Sequence, residues 1–331
     1  MMKVLIAYDG SKDSEAAIDD LRFCGLPAAG SAEVISVAEV WLPPPGSLED
    51  ESEPQPSYIE EILQDCRRKG EKAVAEAEML AKFAAGRVRT ALPNWEVTSI
   101  ASYGSPGWEI VNEAENFGAD LVLVGAQGHT LLSRVVLGSI SQKVLTESHC
   151  SVRVGRGKID LDSGPSRIII GFDASRGAQV AVEVVAARDW SAGTEVRLIT
   201  VTEPIVPTTI GRFVMPLNAV VNEINVAERT LVEGAATKAL EKLTSRGLDA
   251  SFSIRAGNPK HFLPDEAERW GADSIFVGAN AWGSRFERFL IGSTSAAVAA
   301  RAHCSVEVVR ATLTRNHSLA DKSSRAEQLR S

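Results

Sequence analysis

Leu121-Val122-Leu123-Val124 runs directly into Gly125–Ser139, GAQGHTLLSRVVLGS, where three glycines and a serine are spaced G-x2-G-x9-G-S. A short apolar run bounded by glycine reads as a buried strand. When such a strand ends in a glycine loop and the chain restarts as a helix, the first backbone N–H groups of that helix have no intrahelical partner and attract anions, phosphate above all. Strand, loop and helix in this order belong to an α/β sheet. The rest of the chain repeats the pattern.

Working outward, Lys3–Tyr8 reads as a strand, followed by Asp9-Gly10-Ser11 and a helix with Ala17, Leu21 and Cys24 on one face. The same series returns at Arg167, where Ile168–Phe172 leads into Asp173-Ala174-Ser175, an offset of 164. The second strands, Glu33–Val40 and Glu195–Thr202, also correspond. Farther on, Gly104-Ser105-Pro106 matches Gly257-Asn258-Pro259 at an offset of 153, and His149-Cys150-Ser151-Val152 matches His303-Cys304-Ser305-Val306 at 154. The chain is therefore a tandem duplication. We expect a first domain over 1–155, a linker over 156–166, a second domain over 167–311 and a polar, disordered tail over 312–331.

Each copy alternates strand and helix, which requires crossover connections and so a parallel, doubly wound sheet. Ser57 with Glu60 forms a capping box, and Ser105-Pro106 and Asn258-Pro259 each place a cap before a first-turn proline. The drop in offset assigns about eleven extra residues to the first copy, within Trp41–Pro56. That acidic, proline-rich segment cannot be regular structure and, over 41–57, is a candidate surface for a protein partner. The second copy carries the more apolar Glu203–Leu217 there. The last strands of the copies are edges that would be exposed unless paired, so they are expected to meet, with Arg153 and Glu307 at equivalent positions.

The 331 residues carry a formal net charge of −8, and residues 1–155 hold 13 Lys/Arg against 23 Asp/Glu. An acidic half argues against nucleic acid, whose non-specific binding rests on basic surface. The four cysteines form no CxxC pair, which fits a reducing compartment, and the start lacks a signal-peptide core. No run is long enough to span a membrane. A cytoplasmic protein is the expectation.

No P-loop pattern and no G-x-G-x-x-G after a strand occur. An aspartate closing the first strand, the G-x2-G-x9-G-[ST] loop after the fourth and a closing H-C-S-V strand together resemble the universal stress protein family, over Lys3–Gly155 and again over Arg167–Val309. The resemblance implies two flavodoxin-like, Rossmann-like domains, each a five-stranded parallel sheet of order 3-2-1-4-5. It also implies an intramolecular pseudo-dimer, with further homodimerisation left open. One branch of the family binds ATP at the carboxyl ends of strands one and four, where the reversal of strand order opens a crevice. By position, Asp9 then lies near ribose and adenine, Val37 offers backbone to the adenine edge, and Gly125 and Gly128 let the backbone approach phosphate. Gly138, Ser139 and Ser141 supply the helix start and hydroxyls for phosphate or hydrated Mg²⁺.

In the second copy Gly278 stands for Gly125, and Asp173, Gly292, Ser293 and Ser295 keep the remaining elements of the pattern. Ala281 stands where the second glycine belongs, Trp282 follows it, and Gly292-Ser293 arrives one residue late. This loop is expected to be disturbed unless Gly283, next to Trp282, restores the turn.

His149-Cys150 and His303-Cys304 read as buried packing, since neither copy has the further ligands of a tetrahedral metal site. Trp108 and Trp270 read as packing residues. His129 reads as a solvated loop histidine, while Arg134, Arg285 and Arg288 are balanced between phosphate attraction and solvation. With no base and electrophile set for phosphoryl transfer, the expectation is a stress-response binding protein that holds ATP without much turnover. The alternative is a scaffold of the same fold acting through its acidic proline-rich loop.

Overall fold

The computed structural model describes residues 1–40, 57–127, 137–156, 164–203, 215–279 and 291–311. The first half runs β1 (Lys3–Ala7), α1 (Lys12–Asp20), β2 (Ser31–Ala38), α2 (Ser57–Ala91), β3 (Glu96–Tyr103), α3 (Pro106–Phe117), β4 (Leu121–Gly125), α4 (Ser139–Glu147) and β5 (Ser151–Gly155). The second runs β6 (Arg167–Gly171), α5 (Arg176–Ala187), β7 (Glu195–Thr202), α6 (Met215–Thr244), β8 (Asp249–Ala256), α7 (Pro259–Trp270), β9 (Ser274–Gly278), α8 (Ser293–Arg301) and β10 (Ser305–Val309).

The strands form one ten-stranded sheet of order β3-β2-β1-β4-β5-β10-β9-β6-β7-β8. Every neighbouring pair is parallel except β5 with β10, which is antiparallel at the centre. Each half thus has the order 3-2-1-4-5, and the two meet through their last strands. The central strands β4, β5, β9 and β10 are covered on both faces, which is why they read as continuous apolar runs rather than alternating ones.

The helices divide between the faces. α3, α4, α7 and α8 contribute to one apolar cluster shared by both halves, including Val144, Val152, Val298 and Val306. On the other face α1 with α2 and α5 with α6 close two separate clusters. Ala17, Leu21 and Cys24 are all buried, as their spacing predicts, and Ala17 and Leu21 share one cluster. Ser105 and Asn258 both stand at N-cap positions, but only Asn258 accepts the capping bond, from the Lys260 N–H at 3.0 Å.

At the junction Arg153 lies opposite Glu307. Their contact is the longer one, Arg153 Nη1 to Glu307 Oε2 at 3.6 Å. Arg153 donates instead to Asp20 of its own half, Nε to Oδ2 at 2.6 Å and Nη2 to Oδ1 at 3.0 Å. Glu307 accepts from Arg188 of its own half through both oxygens. Arg153 and Glu307 are wholly buried and Asp20 is 3% exposed. Burial, the largest single influence, would push the Arg153 guanidinium toward neutrality, but Asp20 and Glu307 act with the other negative neighbours to outweigh it, and the group is held protonated more firmly than usual.

Two more arginines cross the junction reciprocally. Arg156 donates through Nη2 to Ala299 O in α8 at 2.6 Å, and Arg310 through Nη2 to Leu145 O in α4 at 2.7 Å. A cation near the carboxyl end of a helix favours its dipole.

Removing one member of a buried ion pair leaves a charge without a partner, at a cost of about 3–5 kcal/mol. Arg153→Met should lower stability by that amount in equilibrium urea unfolding, and adding Asp20→Asn should restore part of it. Additive losses in the double variant would argue against the coupling.

Candidate functional site

The strand order reverses at β1 and β4 in the first half and at β6 and β9 in the second. α1 and α4, and likewise α5 and α8, therefore leave to opposite faces and open a crevice at the carboxyl edge.

In the first half, Tyr8 N–H donates to Ile35 O at 2.9 Å and ends the β1–β2 ladder. Asp9 Oδ1 accepts from Ser11 N–H at 3.0 Å, and Ser11 Oγ accepts from Ser14 N–H at 3.2 Å to cap α1. β2 runs on past β1, and Val37, two residues beyond Ile35, points its backbone groups toward the β1 side by the alternation of a parallel ladder. Across the crevice, Gly138 N–H donates to Ala126 O at 2.8 Å, pinning the two ends of the glycine loop together. Ser141 Oγ donates to Gly125 O at 2.7 Å.

The second half repeats this bond for bond. Phe172 N–H meets Ile199 O at 3.0 Å, Asp173 Oδ1 takes Ser175 N–H at 3.0 Å, and Ser175 Oγ caps α5 through Ala178 N–H at 3.2 Å. Gly292 N–H meets Ala279 O at 2.6 Å, and Ser295 Oγ donates to Gly278 O at 2.6 Å. The extra loop residue and the Ala281-Trp282 replacement thus leave both anchors in place. The loop interiors, with Gly128, His129, Arg134, Ala281, Trp282, Gly283, Arg285 and Arg288, lie outside the described residues, as do 41–56 and 204–214.

Around this second crevice lies a cleft of about 310 Å³. Phe172 and Asp173 line it beside Ile199 and Val201, with Gly278 and Ser293 across from them. One wall is apolar. The opposite end is the start of α8, whose N-cap is a glycine in extended conformation with no side-chain capping bond. α4 begins in the same way at Gly138. Ser139 and Ser293, the first residues of the two helices, are exposed, whereas Ser141 and Ser295 are buried with their hydroxyls committed to the strand ends. Val201 is the counterpart of Val37 at the 164 offset, a signal present in the sequence. Pro259 and Leu263, which also line the cleft, carried no such signal.

The glycines at the strand ends have a use inside the fold. A Cβ on Gly125 would lie 2.7 Å from the Asp13 carbonyl carbon, and one on Gly278 only 2.3 Å from that of Gly177. Backbone of the first helix, not an open gap, fills the space that the missing side chain leaves. Burial raises the pKa of the Asp13 carboxyl, against Arg156 and with a smaller contribution from Asp9.

The histidine-cysteine pairs divide. Cys150 and Cys304 are buried, but His149 and His303 are about half exposed and pair with Glu115 on α3 and Glu268 on α7. Trp108 is also half exposed, with the Lys143 ammonium 3.9 Å from its ring centroid, while Trp270 carries the Arg197 guanidinium at 4.0 Å. Among the described residues no group of three or more His, Cys, Asp or Glu is placed to hold a metal ion, and no helix is long and apolar enough to cross a membrane.

The sequence model of the universal stress protein family matches residues 1–156 and again 165–310. The chain belongs to that family. It is 28% identical over 154 residues to the universal stress protein YxiE of Bacillus subtilis, spanning 46% of this chain and 98% of the relative. Universal stress protein Rv2005c of Mycobacterium tuberculosis is 28% identical over 209 residues, 57% of this chain and 64% of the relative. A universal stress protein from Archaeoglobus fulgidus has the same two-domain fold, with a TM-score of 0.58 at 23% identity over 93% of this chain and 96% of that one.

In this universal stress protein Gly278→Ala should cost about 1–3 kcal/mol in thermal or urea unfolding, because a new methyl cannot enter a packed backbone contact without shifting it. A neutral result would mean that α5 yields freely. Burial pushes the thiols of Cys24 and Cys304 up to about 12 and that of Cys150 to about 11, so the thiolate is suppressed at pH 8. Only exposed Cys66 should react quickly with a disulfide reagent in the native chain, and all four cysteines in denaturant. Rapid reaction of more than one native thiol would contradict that burial.

Proposed function

We propose that the chain is a nucleotide-binding universal stress protein that holds ATP in the crevice of each half and signals through its occupied state. The observation that carries the reading is the pairing of an aspartate-bearing strand end with an uncapped helix start across each crevice, together with the cleft of about 310 Å³ in the second half. An apolar wall beside Val201 suits a purine, and a cleft of this size stands at the small end of ligand sites. The first-turn N–H groups of α4 and α8, which no N-cap side chain covers, suit phosphate.

Asp9 and Asp173 would meet ribose, Val37 and Val201 the adenine edge, and Ser139 and Ser293 the phosphates. Gly125 and Gly278 would act by letting the first helix of each half close against its strand end. Mg²⁺, where it takes part, would arrive on the phosphates and keep most of its water. The described residues lining the crevice supply an aspartate and hydroxyls but no histidine or lysine placed as base or electrophile, which favours binding over turnover.

Titration calorimetry of the full chain with ATP and Mg²⁺ should give two sites, with Asp9→Asn and Asp173→Asn each weakening one. A ligand at a hundred times its dissociation constant stabilises by about 2.7 kcal/mol, so the melting temperature should rise with ATP. Absence of any shift with ATP, ADP or AMP would overturn the proposal and favour the scaffold reading through residues 41–57. A single site lost with Asp173→Asn alone would restrict it to the second half.

A further inference from the structure

The two halves diverge on the face that carries α1 with α2 and α5 with α6. In α2 the buried residues Ala77, Ala81, Ala84 and Val88 recur in α6 as Val232, Ala236, Ala239 and Leu243, so these helices align at an offset of 155. At that offset Met79, Leu80 and Phe83 become Gly234, Ala235 and Lys238. In the first half Leu80 and Phe83 close the space beside the Asp9 turn. Leu80 Cδ2 lies 3.2 Å from where a Cβ on Gly10 would be, and the Phe83 ring sits 6.4 Å from that of Tyr8.

In the second half the same space is open. A cavity of about 540 Å³ lies between α5 and α6, with Phe172, Val182 and Ala239 among its buried lining and Leu231, Ala235 and Lys238 on α6 around it. Ala174, the counterpart of Gly10, also lines it and holds a left-handed φ of 60°, a conformation that a non-glycine residue adopts at a cost. Large-to-small replacement in a packed helix pair destabilises unless the space collapses or is filled. Here it has not collapsed.

The lining selects by chemistry. Phe172 and Val182 are each 2% exposed and offer an apolar floor. Lys242 is engaged by Glu183 at 3.2 Å, whereas Lys238 forms no ion pair among the described residues. Gln179 and Thr230 add hydrogen-bonding groups at the rim.

We propose that this cavity is a binding site for a small amphipathic monoanion, an aliphatic or aromatic carboxylate. Its apolar body lies on Phe172 and Val182, and its head meets the Lys238 ammonium. The site does not rest on the nucleotide reading. It opens on the α5–α6 face, and Phe172 is a wall common to it and the crevice of that half.

Octanoate and 1-octanol serve as probes in calorimetry and thermal shift on the full chain. Octanoate should bind once per chain and raise the melting temperature, and saturating ATP should not displace it. Ala235→Leu, which restores the residue of the first half, should keep or raise the ligand-free melting temperature and weaken octanoate by about tenfold or more. If that variant loses its fold, Gly234→Met tests the same space from the exposed side and should act in the same direction. Lys238→Gln should weaken octanoate by about fivefold while leaving 1-octanol unchanged. Failure of octanoate to bind, equal binding to the filled variants, or displacement by ATP would overturn the proposal. Equal affinity of the wild-type chain for octanoate and octanol would overturn its selectivity for an anion.

Discussion

Four charges buried where β5 meets β10 determine how the molecule is put together. Asp20 with Arg153 and Glu307 with Arg188 form two ion pairs, each internal to one half, joined across the junction by the longer Arg153–Glu307 contact. A buried pair gains little over apolar packing, but breaking one is expensive, which makes the placement of these charges a strict condition on assembly. The arrangement is inverted between the halves. Arg153 corresponds to Glu307, and the places of Asp20 and Cys24 are taken by Val184 and Arg188. Joining two first halves by the same strands would set Arg153 against Arg153, and two second halves would oppose Glu307 to Glu307. Only the mixed pairing neutralises the centre of the sheet.

That junction also fixes where the two crevices stand. The antiparallel β5–β10 pair lies at the middle of a continuous sheet, so both carboxyl edges are held in one rigid frame with α3, α4, α7 and α8 packed on a shared core. Arg156 and Arg310 each reach the helix of the opposite half whose other end starts at a crevice. The two helix starts that suit an anion are thus tied, through their carboxyl ends, to the partner half.

Within this common frame the halves have diverged where the fold tolerates it. The hydrogen bonds that shape the crevice are the same in both, because they are made by backbone and by short side chains at strand and helix ends. The outer helix pair has changed more. Leu80 and Phe83 give way to Ala235 and Lys238, and a filled space becomes a lined one. Duplication permits this, since one copy can keep its packing while the other acquires a different surface.

The duplication, the element order and the meeting of the last strands were legible in the sequence, because periodicity, glycine and proline positions and repeated motifs are local signals that survive without knowledge of the fold. The location of the crevice followed from the strand order that the family resemblance implies. Tertiary structure decided what depends on residues far apart in the chain. It gave Arg153 to Asp20 rather than to Glu307 first, seated the backbone of α1 against Gly125, turned His149 outward while Cys150 went in, and kept both ends of the second glycine loop anchored despite its extra residue. Sequence pattern reports which side chains want burial, but the partner each one meets is settled only when helices 100 or more residues apart in the chain pack on one sheet.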